Sequence, residues 1–132
     1  MDQAWEQVRE FHRRFGSPHR ATPEKLTSER VEVRTQWLLE EIQEFQEANS
    51  MVDQADAMID LLYFTLGTLV EMGVRPETLF QIVHQANMDK CWEDGQPRFR
   101  ESDGKVIKPP TWEDPQPKLT EEIERQKRQS VK

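Results

Sequence analysis

Between Ala57 and Val70 the chain runs through fourteen residues with one charged side chain, Asp60. A helix that is apolar on every side is normally buried. A carboxylate inside it is costly unless it is paired or holds a metal ion. The run is shorter than the roughly 20 residues that a bilayer crossing requires, so it belongs in a protein interior. Ser50 is placed to cap this helix and Gly73 to stop it after Met72. Within it Val52, Ala55, Ile59, Leu62, Leu66 and Leu69 alternate spacings of three and four, which predicts a packing seam.

The remaining pattern is helical too. Trp5, Val8, Phe11 and Phe15 predict a first helix from Asp2 to Phe15, stopped by Gly16. Thr27 or Ser28 caps a second helix that runs to about Ala48, with Leu38, Ile42 and Phe45 on its apolar stripe. Pro76 suits the first position of a fourth helix, whose core face is Leu79, Ile82 or Val83, and Ala86, and which ends near Lys90. After Trp92 the chain is rich in Pro, Gly and charge. Asp103-Gly104 predicts a hairpin turn between Arg98–Arg100 and Lys105–Lys108. Thr120 to Gln129 reads as a polar terminal helix prone to fraying. The expected fold class is all-α: a four-helix-type bundle in residues 1–117 with a C-terminal hairpin or loop segment, then a polar tail over 118–132.

One helix before Asp60 lies the acidic cluster Glu40, Glu41 and Glu44, with Glu47 a turn further on. Glu40 and Glu44 stack on one face at a spacing of four, and Asp56 and Asp60 repeat that spacing on the next helix. Like charges at this spacing repel, and a cation between them reverses the sign. Mg²⁺ typically takes one or two carboxylates, several waters and substrate phosphate oxygens, and facing helices can build such a site. Plainer readings stand beside this one. Acidic helix faces are ordinarily just solvated. Asp53 fits a capping box begun by Ser50. A buried Asp60 can pair with an arginine or lysine brought from another helix. His12, His19 and His84 are not spaced as metal ligands.

Bulk properties narrow the partners. The net charge of −7 argues against a sequence-independent grip on a nucleic acid polymer. Cys91 is the lone cysteine and the N-terminus has no apolar signal core, so a cytoplasmic protein with no membrane segment is expected.

Glu40-Glu41-x-x-Glu44 followed by Asp56-x-x-x-Asp60 resembles the all-α nucleotide pyrophosphohydrolases. That superfamily includes MazG, dimeric dUTPases and phosphoribosyl-ATP pyrophosphohydrolase. The stretch Asp56–Tyr63, Glu71-Met72-Gly73, Val83–Lys90 and Asp103–Pro109 leading to Trp112 are similar to its phosphoribosyl-ATP pyrophosphohydrolase-like branch. The family's second motif carries Glu three residues before its Asp. Here that position is Ala57 and the nearest acid is Asp56, which turns the carboxylate by about 100° around the helix.

The resemblance implies a MazG-like bundle that cleaves the α–β phosphate bond of a nucleoside triphosphate, giving monophosphate and pyrophosphate. It implies Mg²⁺, with Mn²⁺ as a substitute, held by Glu40, Glu44, Asp56 and Asp60. Glu41 is the expected proton acceptor, with Glu44 able to exchange roles with it. Asn87, Lys90, Lys105 and Lys108 are the expected substrate contacts. Narrower alternatives are a phosphoribosyl-ATP or dUTP hydrolase, and a silent helical nucleotide-binding module is a third. Tyr63, Phe64 and Leu61 lie off the main seam, and with the family's habit of assembly they imply a homodimer or a dimer of dimers.

Overall fold

A computed structural model describes residues 1–130. Its helices are α1 (Asp2–Phe15), α2 (Ser28–Glu47), α3 (Met51–Met72), α4 (Glu77–Met88) and α5 (Gln116–Ser130), and the only strands among the described residues are β1 (Arg98–Phe99) and β2 (Val106–Ile107). The fold is all-α. The chain divides into two compact units, one of Met1–Pro76 with the chain end from Gln126, the other of Glu77–Arg125.

In the first unit α1 and α2 both pack on α3. Trp5, Val8, Leu66 and Val70 form the buried core, with Ala4 and Leu69 against it. Fully burying Val8 and Val70 contributes about 1.5–3 kcal/mol each. The buried stripe of α1 is Trp5, Val8 and His12, whereas Phe11 and Phe15 lie exposed. Steps of three then four hold one helix face, while two successive steps of three drift off it. The His12 Nδ1–H donates to the Pro18 carbonyl at 2.7 Å, and burial lowers the ring's pKa from its usual value.

The seam expected along α3 is used only in part within one chain. Leu66 is buried and Leu69 partly so, yet Val52, Ile59 and Leu62 are exposed. The buried positions are Ala57, Leu66, Gly67, Val70 and Glu71.

Local chemistry fixes where the helices begin and end. The Thr27 hydroxyl accepts Arg30 N–H at 3.3 Å, and the Ser50 hydroxyl accepts Asp53 N–H at 3.1 Å. Gly73 closes α3 in the left-handed region at φ 72°. Val74 N–H then reaches the Leu69 carbonyl at 2.9 Å, which satisfies the helix end. The loop after α1 covers that end, with Glu24 N–H on the Met72 carbonyl at 2.9 Å.

In the second unit Ala86 is the buried residue of α4, which stops at Met88 rather than running to Lys90. The strands pair antiparallel, Arg98 with Ile107 and Phe99 with Val106. The loop between them is longer than a two-residue turn. Arg100 N–H bonds the Lys105 carbonyl, Gly104 takes φ 73°, and the Asp103 carboxylate accepts from the Arg100 side chain and from Lys105 N–H. Helix α5 begins four residues before the expected start, at Gln116, where the Asp114 carboxylate accepts its N–H at 2.8 Å. Pro117 falls in the first turn, where no donor is needed. Nor does the end of α5 hang free. In the first unit the buried Gln126 amide accepts Arg75 N–H at 2.9 Å and donates to the Arg75 carbonyl at 3.0 Å.

Candidate metal centre

The last turns of α2 and the first turns of α3 carry the carboxylates, joined by the short Ala48–Ser50 link, so the helices run antiparallel and the acids face one another. One oxygen from each of Glu41, Glu44 and Asp60 lies within 4.8 Å of the others. Glu41 is buried, Asp60 half-buried and Glu44 exposed. Glu41 is the member that joins Glu44 and Asp60 in this cluster. Glu40 and Asp56 are exposed and flank it, acting on Glu41 and Asp60 respectively through charge alone. Ala57, at the family's usual acid position, is buried.

Burial first, then the hydrogen bond and charge of Glu44 and the charges of Asp60 and Glu40, push the Glu41 pKa from 4.5 to about 6. Asp60 is also raised, by burial and by the charges of Asp56 and Glu44. Glu41 Oε2 is buried with no hydrogen-bond partner. An orphaned, desolvated carboxylate oxygen amid two further acids is a costly arrangement that a cation relieves. Among the described residues no arginine or lysine is ion-paired with any of the three. The donor set, all carboxylate oxygens, fits a hard divalent cation.

Charge pairing does occur on α3, but at Glu71, which sequence reasoning noted only within Glu71-Met72-Gly73. Glu71 is buried and accepts from Arg30 Nε at 2.5 Å, Arg30 Nη2 at 3.1 Å and Arg34 Nε at 2.6 Å. Burial alone raises its pKa, yet the two guanidiniums outweigh that and hold it below the usual carboxylate value. The available signal was Arg30 and Arg34 four apart on one face of α2, opposite the last acid of an apolar helix.

In the second unit Lys90, Lys105 and Lys108 line one cavity of about 450 Å³ with Arg100 and Trp112. Trp112 is pinned by its indole N–H to the Ala86 carbonyl at 2.7 Å. The Lys108 and Lys90 ammonium groups stand 4.6 Å and 5.7 Å from its ring centre. Asn87 is exposed on α4 and does not line this cavity. No single helix among the described residues is long and apolar enough to cross a membrane.

Residues 8–87, more than half of the chain, match the phosphoribosyl-ATP pyrophosphohydrolase family. No curated protein matches. Among solved structures, the chain is similar to the crystal structure of a candidate NTP pyrophosphohydrolase from Exiguobacterium sp. 255-15, at 32% identity and a TM-score of 0.55, with 96% of each chain covered. That likeness over nearly all of both chains accords with the MazG-like architecture, and pyrophosphohydrolases of this kind use a divalent metal. Taken with the facing carboxylates of α2 and α3, these matches mean that the chain belongs to the phosphoribosyl-ATP pyrophosphohydrolase family and is a hydrolase acting on phosphoric anhydrides.

Proposed function

We propose that this protein is a Mg²⁺-dependent nucleoside triphosphate pyrophosphohydrolase, cleaving the α–β bond to give a monophosphate and pyrophosphate. The observation that carries this reading is the cluster of Glu41, Glu44 and Asp60 with its orphaned Glu41 oxygen. Its setting is a chain alike, over nearly its whole length, to a candidate NTP pyrophosphohydrolase. Glu41, Glu44 and Asp60 hold the cation, and Glu40 and Asp56 add ligands or negative field beside it. When bound, Mg²⁺ neutralises phosphate charge and lowers the pKa of water at the site; Mn²⁺ can substitute. Glu41 is assigned the proton of the attacking water, and Glu44 can exchange roles with it.

Lys90, Lys105 and Lys108 are assigned phosphate contacts in their own cavity, where ammonium groups act as point charges. Asn87 is assigned a sugar or phosphate contact. Free nucleotide rather than a polymer suits the net charge of −7. The exposed thiol of Cys91 suits a reducing cytoplasm. The open apolar faces of α2 and α3 suit a homodimer or a dimer of dimers.

The family match favours a second reading, hydrolysis of phosphoribosyl-ATP. Incubation with Mg²⁺ and a panel of NTPs, dNTPs and phosphoribosyl-ATP, with products separated chromatographically, decides between them. Turnover of several triphosphates supports the first reading. Turnover of phosphoribosyl-ATP alone replaces it with the second, and an inert panel removes both.

A further inference from the structure

The pairing of Arg34 with Glu71 lies on the same two helix faces as the carboxylate cluster. Arg34 and Glu41 are about two turns apart on one stripe of α2, and Glu71 and Asp60 about three turns apart on one stripe of α3. Arg34 and Glu71 are both more than nine-tenths buried. The guanidinium of Arg34 is held from three sides. Its Nε donates to Glu71 at 2.6 Å, its Nη2 lies 3.5 Å from His12 Nε2 on α1, and its Cζ sits over the Trp37 ring, 4.9 Å from the ring centre. Gly67 makes room for it, because a Cβ there would stand 3.0 Å from Arg34 Nη1 and 3.1 Å from His12 Nε2.

One turn from Glu41 and Asp60, Trp37 of α2 meets Phe64 of α3 with ring centres 5.8 Å apart, but beyond that contact the apolar side chains around the carboxylates are open. Ile42 and Phe45 on one helix and Ile59 on the other are exposed. Without a cation the acids repel one another, so they supply no register of their own. A buried ion pair is weak evidence for stability, since desolvation offsets most of its attraction, and its best-attested use is to specify register.

We propose that Arg34 and Glu71, with Arg30 and His12 around them, are positioning residues that lock the register of α2 on α3 and so present Glu41 and Glu44 to Asp60 at the spacing a divalent cation needs. The proposal rests on the carboxylate cluster being the metal site. Outer groups that orient metal ligands typically govern about 10- to 100-fold in metal affinity.

The test is Mn²⁺ binding to the full chain, followed by the EPR signal of free Mn²⁺, alongside thermal melting without metal. In R34M/E71M the ion pair becomes apolar, and Arg30, whose side chain is 32% exposed, can turn to solvent. Its helical signal is expected to persist while Mn²⁺ affinity falls by about tenfold or more. Val70→Ala, a core cavity among Trp5, Val8 and Leu66 that leaves the Arg34–Glu71 pair intact, is expected to melt earlier with Mn²⁺ affinity unchanged. Should R34M/E71M not fold, the isosteric Glu71→Gln carries the test and is expected to weaken Mn²⁺ binding severalfold. Affinity within about twofold of wild type in whichever variant folds overturns the proposal, as does an equal loss of affinity in Val70→Ala. Asp60→Asn separates the two readings. If it binds Mn²⁺ as wild type does, the metal site is misassigned and the clamp falls with it. If it abolishes binding, the clamp variants are read on their own.

Discussion

Asp60 and Glu41 differ in what surrounds them, and that difference makes separate predictions. Asp60→Asn removes one of three facing carboxylates without changing shape. Without metal it is expected to melt no lower than wild type, because repulsion is relieved. With Mg²⁺ at 100 times its dissociation constant, wild type gains about 2.7 kcal/mol and the variant gains nothing. An equal gain in both would remove Asp60 from the metal site. Glu41 predicts a pH dependence. Its folded pKa of about 6 lies above its ordinary 4.5, so the folded state binds the proton more tightly. The metal-free protein therefore carries this group's stability in full below pH 4.5 and loses it as pH rises through about 6. Melting across that window with chelator present should show the decline, and Glu41→Gln should flatten it. Mg²⁺ binding should weaken as pH falls below about 6, where the proton competes with the ion. The acids themselves were legible in the sequence, because a lone charge in an apolar helix has few explanations. Which glutamate completes the trio was not, since Glu40 and Glu41 are adjacent and only the way α2 sits on α3 brings Glu41 inward.

Caps and stops carried most of what could be read of the elements. Gly16, Thr27, Ser50 and Gly73 each stand at the boundary expected of them, since these residues act on their own backbone and need no tertiary partner. Gly73 is the strictest. An alanine there would hold φ near 72° and set its Cβ 2.7 Å from the Thr22 carbonyl oxygen. Gly73→Ala is expected to lower stability by about 1–3 kcal/mol, measured by urea unfolding. A loss under a few tenths would show that the loop yields freely. Burial was less legible than boundaries. His12 displaced Phe11 from the core of α1 because its ring pairs with Pro18 in the loop beyond the helix and lies beside Arg34 of α2, partners that helical periodicity does not show. The start of α5 was missed because Pro117 reads as a breaker unless it falls in a first turn, and its docking was missed because Gln126 gives no hydrophobic signal.

For the molecule as a whole, the apolar character of α3 outruns what one chain covers. Met51, Val52 and Ile59 are 82%, 73% and 60% exposed, with Phe11, Phe15 and Tyr63 forming a further aromatic patch. Apolar surface of this kind usually marks an interface. Light scattering after size exclusion is expected to give a dimer or tetramer, and V52K/I59K is expected to shift it toward monomer. A wild-type monomer at micromolar concentration would contradict this. The all-round apolar pattern read as burial in the sequence; it could not tell burial within a chain from burial between chains.

Which bond is cut, and what the cutting needs, decides the reaction. The most direct measurement is ³¹P NMR of a deoxynucleoside triphosphate incubated with the protein, run with Mg²⁺, with chelator and with Asp60→Asn. Pyrophosphate and monophosphate signals are expected to grow together only with Mg²⁺ and wild-type protein. Inorganic phosphate with a diphosphate, or cleavage that persists in Asp60→Asn, would contradict this.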